Sequence, residues 1–191
     1  MSVDDRVVDR VVVLYPGAGS GADHPGLVAI ADAVAPLECV RRDFGYRRDG
    51  RRAPDRAPKL MAEVRTELAR YGDRPVVMGG RSMGGRICSM VAAGADGEPP
   101  PPQVVALVLI AYPLHPPGRP ERLRVEHLPD IAVPTLFVSG TRDPFGAPDE
   151  LEEWTSTIAG PVTHAWVEGG RHELRGADVE VATTVARFCL P

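Results

Sequence analysis

Three residues of this 191-residue chain have the types and the order of a nucleophile, an acid and a base. Ser82 lies in Gly79-Gly80-Arg81-Ser82-Met83-Gly84-Gly85 and so completes the pattern Gly80-x-Ser82-x-Gly84. A serine on a sharp strand-to-helix turn exposes its hydroxyl, and the residues two places to either side then crowd the main chain; glycine relieves that crowding. Asp143 follows in Gly140-Thr141-Arg142-Asp143-Pro144, and His172 in Glu168-Gly169-Gly170-Arg171-His172. Such a set performs acyl transfer. Ser82 attacks a carbonyl, His172 moves the hydroxyl proton to the leaving group, and Asp143 holds the imidazole tautomer and offsets its charge. The Met83 N–H, opening the next helix, faces the developing oxyanion. A second donor is expected from the Ala18 N–H in Pro16-Gly17-Ala18-Gly19-Ser20-Gly21, where Gly17 and Gly19 let the substrate approach the backbone.

The elements that must position these groups alternate along the chain. Val11 to Tyr15 reads as a buried strand closed by Pro16-Gly17, and a helix from Pro25 to about Ala35 follows. Leu37 to Val40 is a second strand, and an Arg-rich loop with Pro54 and Pro58 delays a helix over Lys59 to Tyr71, where Leu60, Val64 and Leu68 recur every four residues. The next strand is Pro75 to Gly79, with a helix from Met83 to about Ala93; Val104 to Ala111, the most apolar stretch, reads as a central strand. Pro134 to Gly140 and His164 to Val167 are the last strands, with helices over about Asp149 to Ile158 and Ala177 to Cys189. Six strand-helix alternations predict an α/β fold: a three-layer α/β/α sandwich on a mainly parallel sheet of about six strands. In such sheets ligands bind beyond the C-terminal strand ends, where Ser82, Asp143 and His172 each follow a strand.

Composition agrees with a single domain spanning 1–191. Twenty glycines and 20 prolines exclude a coiled coil, and 5% aromatic content leaves a core of Val, Ala, Leu and Ile. A net charge of −4 argues against nucleic acid as a partner. Arg41, Arg42, Arg47, Arg48, Arg51, Arg52 and Arg56 crowd one window against Asp43, Asp49 and Asp55. This window is either an anion site or, as Lys59 is the only lysine, a solvated face of an arginine-using chain. Cys39, Cys88 and Cys189 have no CxxC spacing and read as reduced thiols of a cytoplasmic protein. Met1 to Arg10 alternates acidic and basic residues, and no apolar run is long enough for a bilayer. The five histidines have no metal-binding spacing, so neither metal nor cofactor is expected.

Taken together, Pro16 to Gly19, Asp43-Phe44-Gly45-Tyr46, GGRSMGGR at Gly79 to Arg86, Tyr112-Pro113-Leu114-His115-Pro116-Pro117-Gly118 and Gly140 to Phe145 give the chain a resemblance to the α/β-hydrolases. It resembles most the compact, lidless, dienelactone-hydrolase-like group that also includes a domain of a nonspecific-lethal chromatin complex subunit. The resemblance implies a minimal hydrolase fold without a lid domain and a triad of Ser82, Asp143 and His172; with no extra domain to hold a peptide, the expected substrate is a small ester, thioester or lactone. Gly17, Tyr46, Arg81, Tyr112 and His115 are expected at the substrate pocket. His115 either contacts substrate, replaces His172 as base, or makes a structural hydrogen bond; His24 is similarly open. Pro16 stands where such hydrolases commonly carry His-Gly.

Two rival readings come from other classes. Gly17-x-Gly19-x-x-Ala22 with Glu38 fits a dinucleotide fingerprint, but Asp23-His24-Pro25-Gly26 pushes the helix start beyond the glycines, where it cannot meet a pyrophosphate. The other is a hydrolase fold serving only as an interaction module.

Overall fold

The computed structural model describes residues 9–190, so all but the last two residues of the charge alternation read over Met1 to Arg10 lie outside the described residues. Six strands form one sheet: β1 (Val11–Tyr15), β2 (Glu38–Arg41), β3 (Val76–Arg81), β4 (Val104–Ile110), β5 (Thr135–Gly140) and β6 (Val162–Val167). Their spatial order is β2-β1-β3-β4-β5-β6, and every neighbouring pair is parallel. The sheet is therefore wholly parallel, where the sequence predicted only a mainly parallel one. β3 and β4 stand at its centre.

Strand alternation divides the core in two. Val11, Val13 and Tyr15 face the layer containing α3 (Ala57–Leu68) and α4 (Met83–Ala92), while Val12 and Leu14 face α1 (Pro25–Ala33) and α6 (Asp178–Cys189). Both faces are covered, so the strands read as continuous apolar runs rather than alternating ones. Each fully buried Val, Leu or Phe contributes about 2 kcal/mol, which puts the stability in the sheet and leaves the strand-end loops free for chemistry. Among the described residues no helix is long and apolar enough to cross a membrane, and no cluster of three or more His, Cys, Asp or Glu could hold a metal ion.

Several boundaries differ from expectation for local reasons. β3 runs two residues past Gly79, because Gly80 and Arg81 stay in register with Leu109 and Ile110 of β4. Ser82 thus follows the strand without a gap. α3 starts at Ala57 rather than after Pro58, since proline is tolerated in a first turn that has no N–H partners to lose. It ends at Leu68 in a tighter turn, Ala69–Tyr71. The Arg-rich segment, read as loop, contains the single-turn helix α2 (Gly45–Arg48), stabilised where the Glu63 carboxylate accepts the Gly45 N–H at 2.6 Å. α5 (Pro148–Thr155) also opens on a proline and stops short of Ile158.

Candidate active site

Ser82 occupies the junction of β3 and α4 with φ 50 and ψ −117, a conformation unfavourable to any residue with a side chain and costing about 1–3 kcal/mol. Its N–H donates to the Ile110 carbonyl at 2.8 Å, which anchors the turn to β4. The two flanking glycines are steric requirements. A Cβ at Gly80 would strike the Tyr15 carbonyl, and one at Gly84 would strike the same carbonyl and lie 2.6 Å from that of Pro16. The close fit of β1, turn and helix is what turns the serine outward.

His172, five residues beyond β6, brings Nε2 to 2.8 Å from Ser82 Oγ. On its other side Nδ1 lies 2.8 Å from Asp143 Oδ2 and 3.1 Å from Oδ1. The carboxylate fixes the proton on Nδ1, leaving Nε2 free to accept from the serine hydroxyl. Asp143 is buried, and its Oδ1 also accepts the Phe145 N–H at 2.9 Å. The Phe145 ring stacks on the imidazole with centroids 3.9 Å apart. Arg81 completes the support, its Nη2 donating to the His172 carbonyl at 2.6 Å. Thus three side chains from three strand ends form one hydrogen-bonded row.

The loop after β1 closes over this row. A Cβ on Gly17 would sit 3.5 Å from Ser82 Cβ, in ordinary contact, so the loop lies directly against the serine. Neither the Ala18 N–H nor the Met83 N–H donates to a protein acceptor among the described residues. Tyr46 acts on this loop from outside: its hydroxyl donates to the Ala18 carbonyl at 3.0 Å.

A cavity of about 650 Å³ opens above Ser82, lined among others by Gly17, Ala18, Arg81, Met83 and His172. Three residues expected at the pocket do not reach it. Tyr46 is buried and engaged with Ala18; Tyr112 is buried beneath the cavity, its hydroxyl donating to the Arg124 carbonyl at 3.0 Å. Burial pushes the Tyr112 phenol up to about 12. His115 turns away into the loop, its Nδ1 2.9 Å from the Pro116 carbonyl and its Nε2 3.4 Å from Glu150, so it makes the structural contact and is no substitute for His172. His24 does line the cavity, but its Nδ1 caps α1 by accepting the Gly26 N–H, and burial together with the nearby Arg81 charge lowers its pKa. The Arg-rich segment borders separate clefts beside β2 and does not cover the site. Glu38, the residue that would bind a ribose, pairs with Arg74 at 2.8 Å, and α1 begins three residues past Ala22.

Comparison with known proteins now decides the family. A family model described as an alpha/beta hydrolase domain matches residues 8–187. This chain belongs to the alpha/beta hydrolases. Solved structures similar to this hydrolase include Est1E from Butyrivibrio proteoclasticus with ferulic acid bound (TM-score 0.74, 14% identity, 98% of this chain and 91% of that one). Others are an alpha-beta serine hydrolase homologue from Coxiella burnetii (TM-score 0.72, 19% identity, covering 94% and 84%) and a dienelactone hydrolase from Anabaena variabilis (TM-score 0.71, 18% identity, covering 94% and 85%). These likenesses concern the fold.

Sequence reasoning missed Arg86 and Arg124 as cavity residues of this hydrolase. Arg86 carried a usable signal, lying four residues after Ser82 and so on the same side of α4. Arg124 carried none, because it sits in an irregular stretch without periodicity. Also unforeseen was a buried pair, Ser89 Oγ and His127 Nε2 at 2.8 Å, from residues 38 apart.

Proposed function

We propose that this chain is a serine hydrolase that cleaves a small ester, thioester or lactone through an acyl-enzyme on Ser82. The single observation carrying this reading is the unbroken row from Ser82 Oγ through His172 to buried Asp143, with the serine on a conformationally strained turn. In the reaction Ser82 attacks the carbonyl as Nε2 takes its proton, and the Ser82 Oγ–C bond forms. The carbonyl oxygen becomes an oxyanion held by the Met83 and Ala18 N–H groups. Each such donor contributes about 3 kcal/mol to transition-state stabilisation. His172 then protonates the departing alcohol or thiol as the bond to it breaks. Water, deprotonated by the same imidazole, releases the acid and restores Ser82.

The cavity opens directly to solvent, with loop residues such as Pro113 and Phe145 as its apolar walls, which favours small substrates over peptides. Labelling with a fluorophosphonate probe tests the reading. The folded wild type is expected to label and to hydrolyse 4-nitrophenyl acetate, with both lost in Ser82→Ala and turnover reduced by about 10⁴-fold or more. Equal labelling in both proteins, or none in folded wild type, would sink the assignment and favour an interaction module.

A further inference from the structure

The Ser82 cavity holds more positive charge than acyl transfer needs. Among the described residues three arginines line it, Arg81, Arg86 and Arg124, and no Asp or Glu does. Arg81 is committed to the His172 carbonyl. Among the described residues Arg86 and Arg124 form no salt bridge, and the buried Arg86 Nε finds no hydrogen-bond acceptor. A buried N–H without an acceptor carries a desolvation penalty that native structures rarely leave uncompensated.

The two guanidinium groups are also held near one another. Arg86 is on the first turn of α4, its N–H donating to the Ser82 carbonyl at 3.0 Å. Arg124 is pinned through its backbone, its N–H on Leu114 and its carbonyl under the Tyr112 hydroxyl. Burial first, and then the neighbouring Arg86 charge, lowers the Arg124 pKa. Burial and the Arg86 charge push the pKa of His127 down to about 4, and an imidazole in either form supplies no negative countercharge to the two arginines. Like charges facing one partly desolvated space gain most from an anion placed between them, and guanidinium forks bind carboxylate and phosphate oxygens in pairs.

We propose that the substrate of the Ser82 cavity carries an anionic group, a carboxylate or a phosphate, which Arg86 and Arg124 hold while Ser82 attacks the adjacent ester carbonyl. This rests on the serine-hydrolase reading and adds the substrate class. Met83, Pro113 and Phe145 line the same cavity and offer an apolar surface for a short carbon chain between anion and ester.

Matched ester pairs test it. The 4-nitrophenyl half-ester of adipate is compared with its methyl-capped neutral counterpart, and phenyl acetates bearing a 3-carboxylate or 3-phosphate are compared with phenyl acetate. In wild type one anionic member or more should exceed its neutral partner at least tenfold in kcat/KM, mainly through KM. In Arg86→Gln/Arg124→Gln, with folding checked by circular dichroism, that ratio should fall about tenfold or more, to near unity. The carboxylate and phosphate arms tell which anion fits. Calorimetric titration of Ser82→Ala with adipate and with phenyl phosphate reads the site without catalysis, and saturable binding should vanish when both arginines are also replaced. Such binding, where the wild type hydrolyses none of the esters, would retain the anion site and remove the hydrolase reading. Neutral-ester turnover with no anion preference and no binding would overturn the present inference and leave the hydrolase standing. A preference or binding that survives the double replacement would overturn it as well.

Discussion

Around α2, Arg42 meets Glu67 at 2.8 Å, Arg48 meets Glu63 at 3.5 Å and Arg51 meets Asp55 at 2.8 Å, while in the Ser82 cavity Arg86 and Arg124 meet no carboxylate among the described residues. The first region is the denser in arginine, and its sequence fits either an anion site or a solvated face. It is the solvated face, a set of ion pairs in which Arg51 holds Asp55 down to about 2 and the charges cancel locally. The second has fewer arginines and none of the acids. What marks a place for an incoming anion is the absence of partners rather than the number of cations, because a paired guanidinium has already spent its hydrogen-bonding directions.

The contrast can be attacked from both sides, beginning where the effect should be greatest. Arg81→Met removes the support under the His172 carbonyl; as a positioning residue it should cost about 100-fold in kcat with KM changed much less. Arg81→Lys should recover part of that loss, and an equal fall in both parameters with no recovery would make Arg81 merely structural. Tyr46→Phe cuts the hydrogen bond from α2 to the Ala18 carbonyl in the loop after β1, and is expected to lower kcat about tenfold while costing about 1 kcal/mol in denaturant stability. Unaltered kcat would mean that the loop holds its orientation alone. Among the paired arginines, Arg42→Met leaves Glu67 without its closest cation and should cost about 1 kcal/mol, whereas the exposed Arg51→Ala should leave the Tm within experimental scatter. Neither should alter the anion-to-neutral ratio. A change in that ratio for either variant would erase the distinction between the two regions.

Much of this arrangement was legible in the sequence because it depends on local pattern. Val11 to Tyr15 and Val104 to Ile110 are buried on both faces of the sheet, so their apolar character is continuous and unmistakable. Ser82, Asp143 and His172 could be found because each follows its own strand, and parallel topology delivers strand ends to one edge. What escaped depends on contacts between segments far apart. The single turn of α2 is too short for a periodic signal and owes its start to Glu63, 18 residues away. His115 could be placed in the loop after the central strand, with a structural hydrogen bond among its readings, but not its partners, the Pro116 carbonyl and Glu150 of α5. Arg124 reaches the cavity through backbone bonds to Leu114 and Tyr112, and nothing in its neighbours' types announces that fold-back.

The fit of the Ser82 turn against β1 also fixes which positions evolution or a laboratory library can explore. Any side chain at Gly80 or Gly84 collides with main-chain carbonyls of Tyr15, and one at Gly79 with that of Val108; backbone in mid-sheet cannot step aside. Diversification at the glycines around Ser82 is therefore closed. Variation is open on the cavity's outer wall, at Pro113 and Arg124, where side chains contact the space without bearing on the turn. New substrate preferences should arise from that wall, with the serine and its glycines carried unchanged from variant to variant.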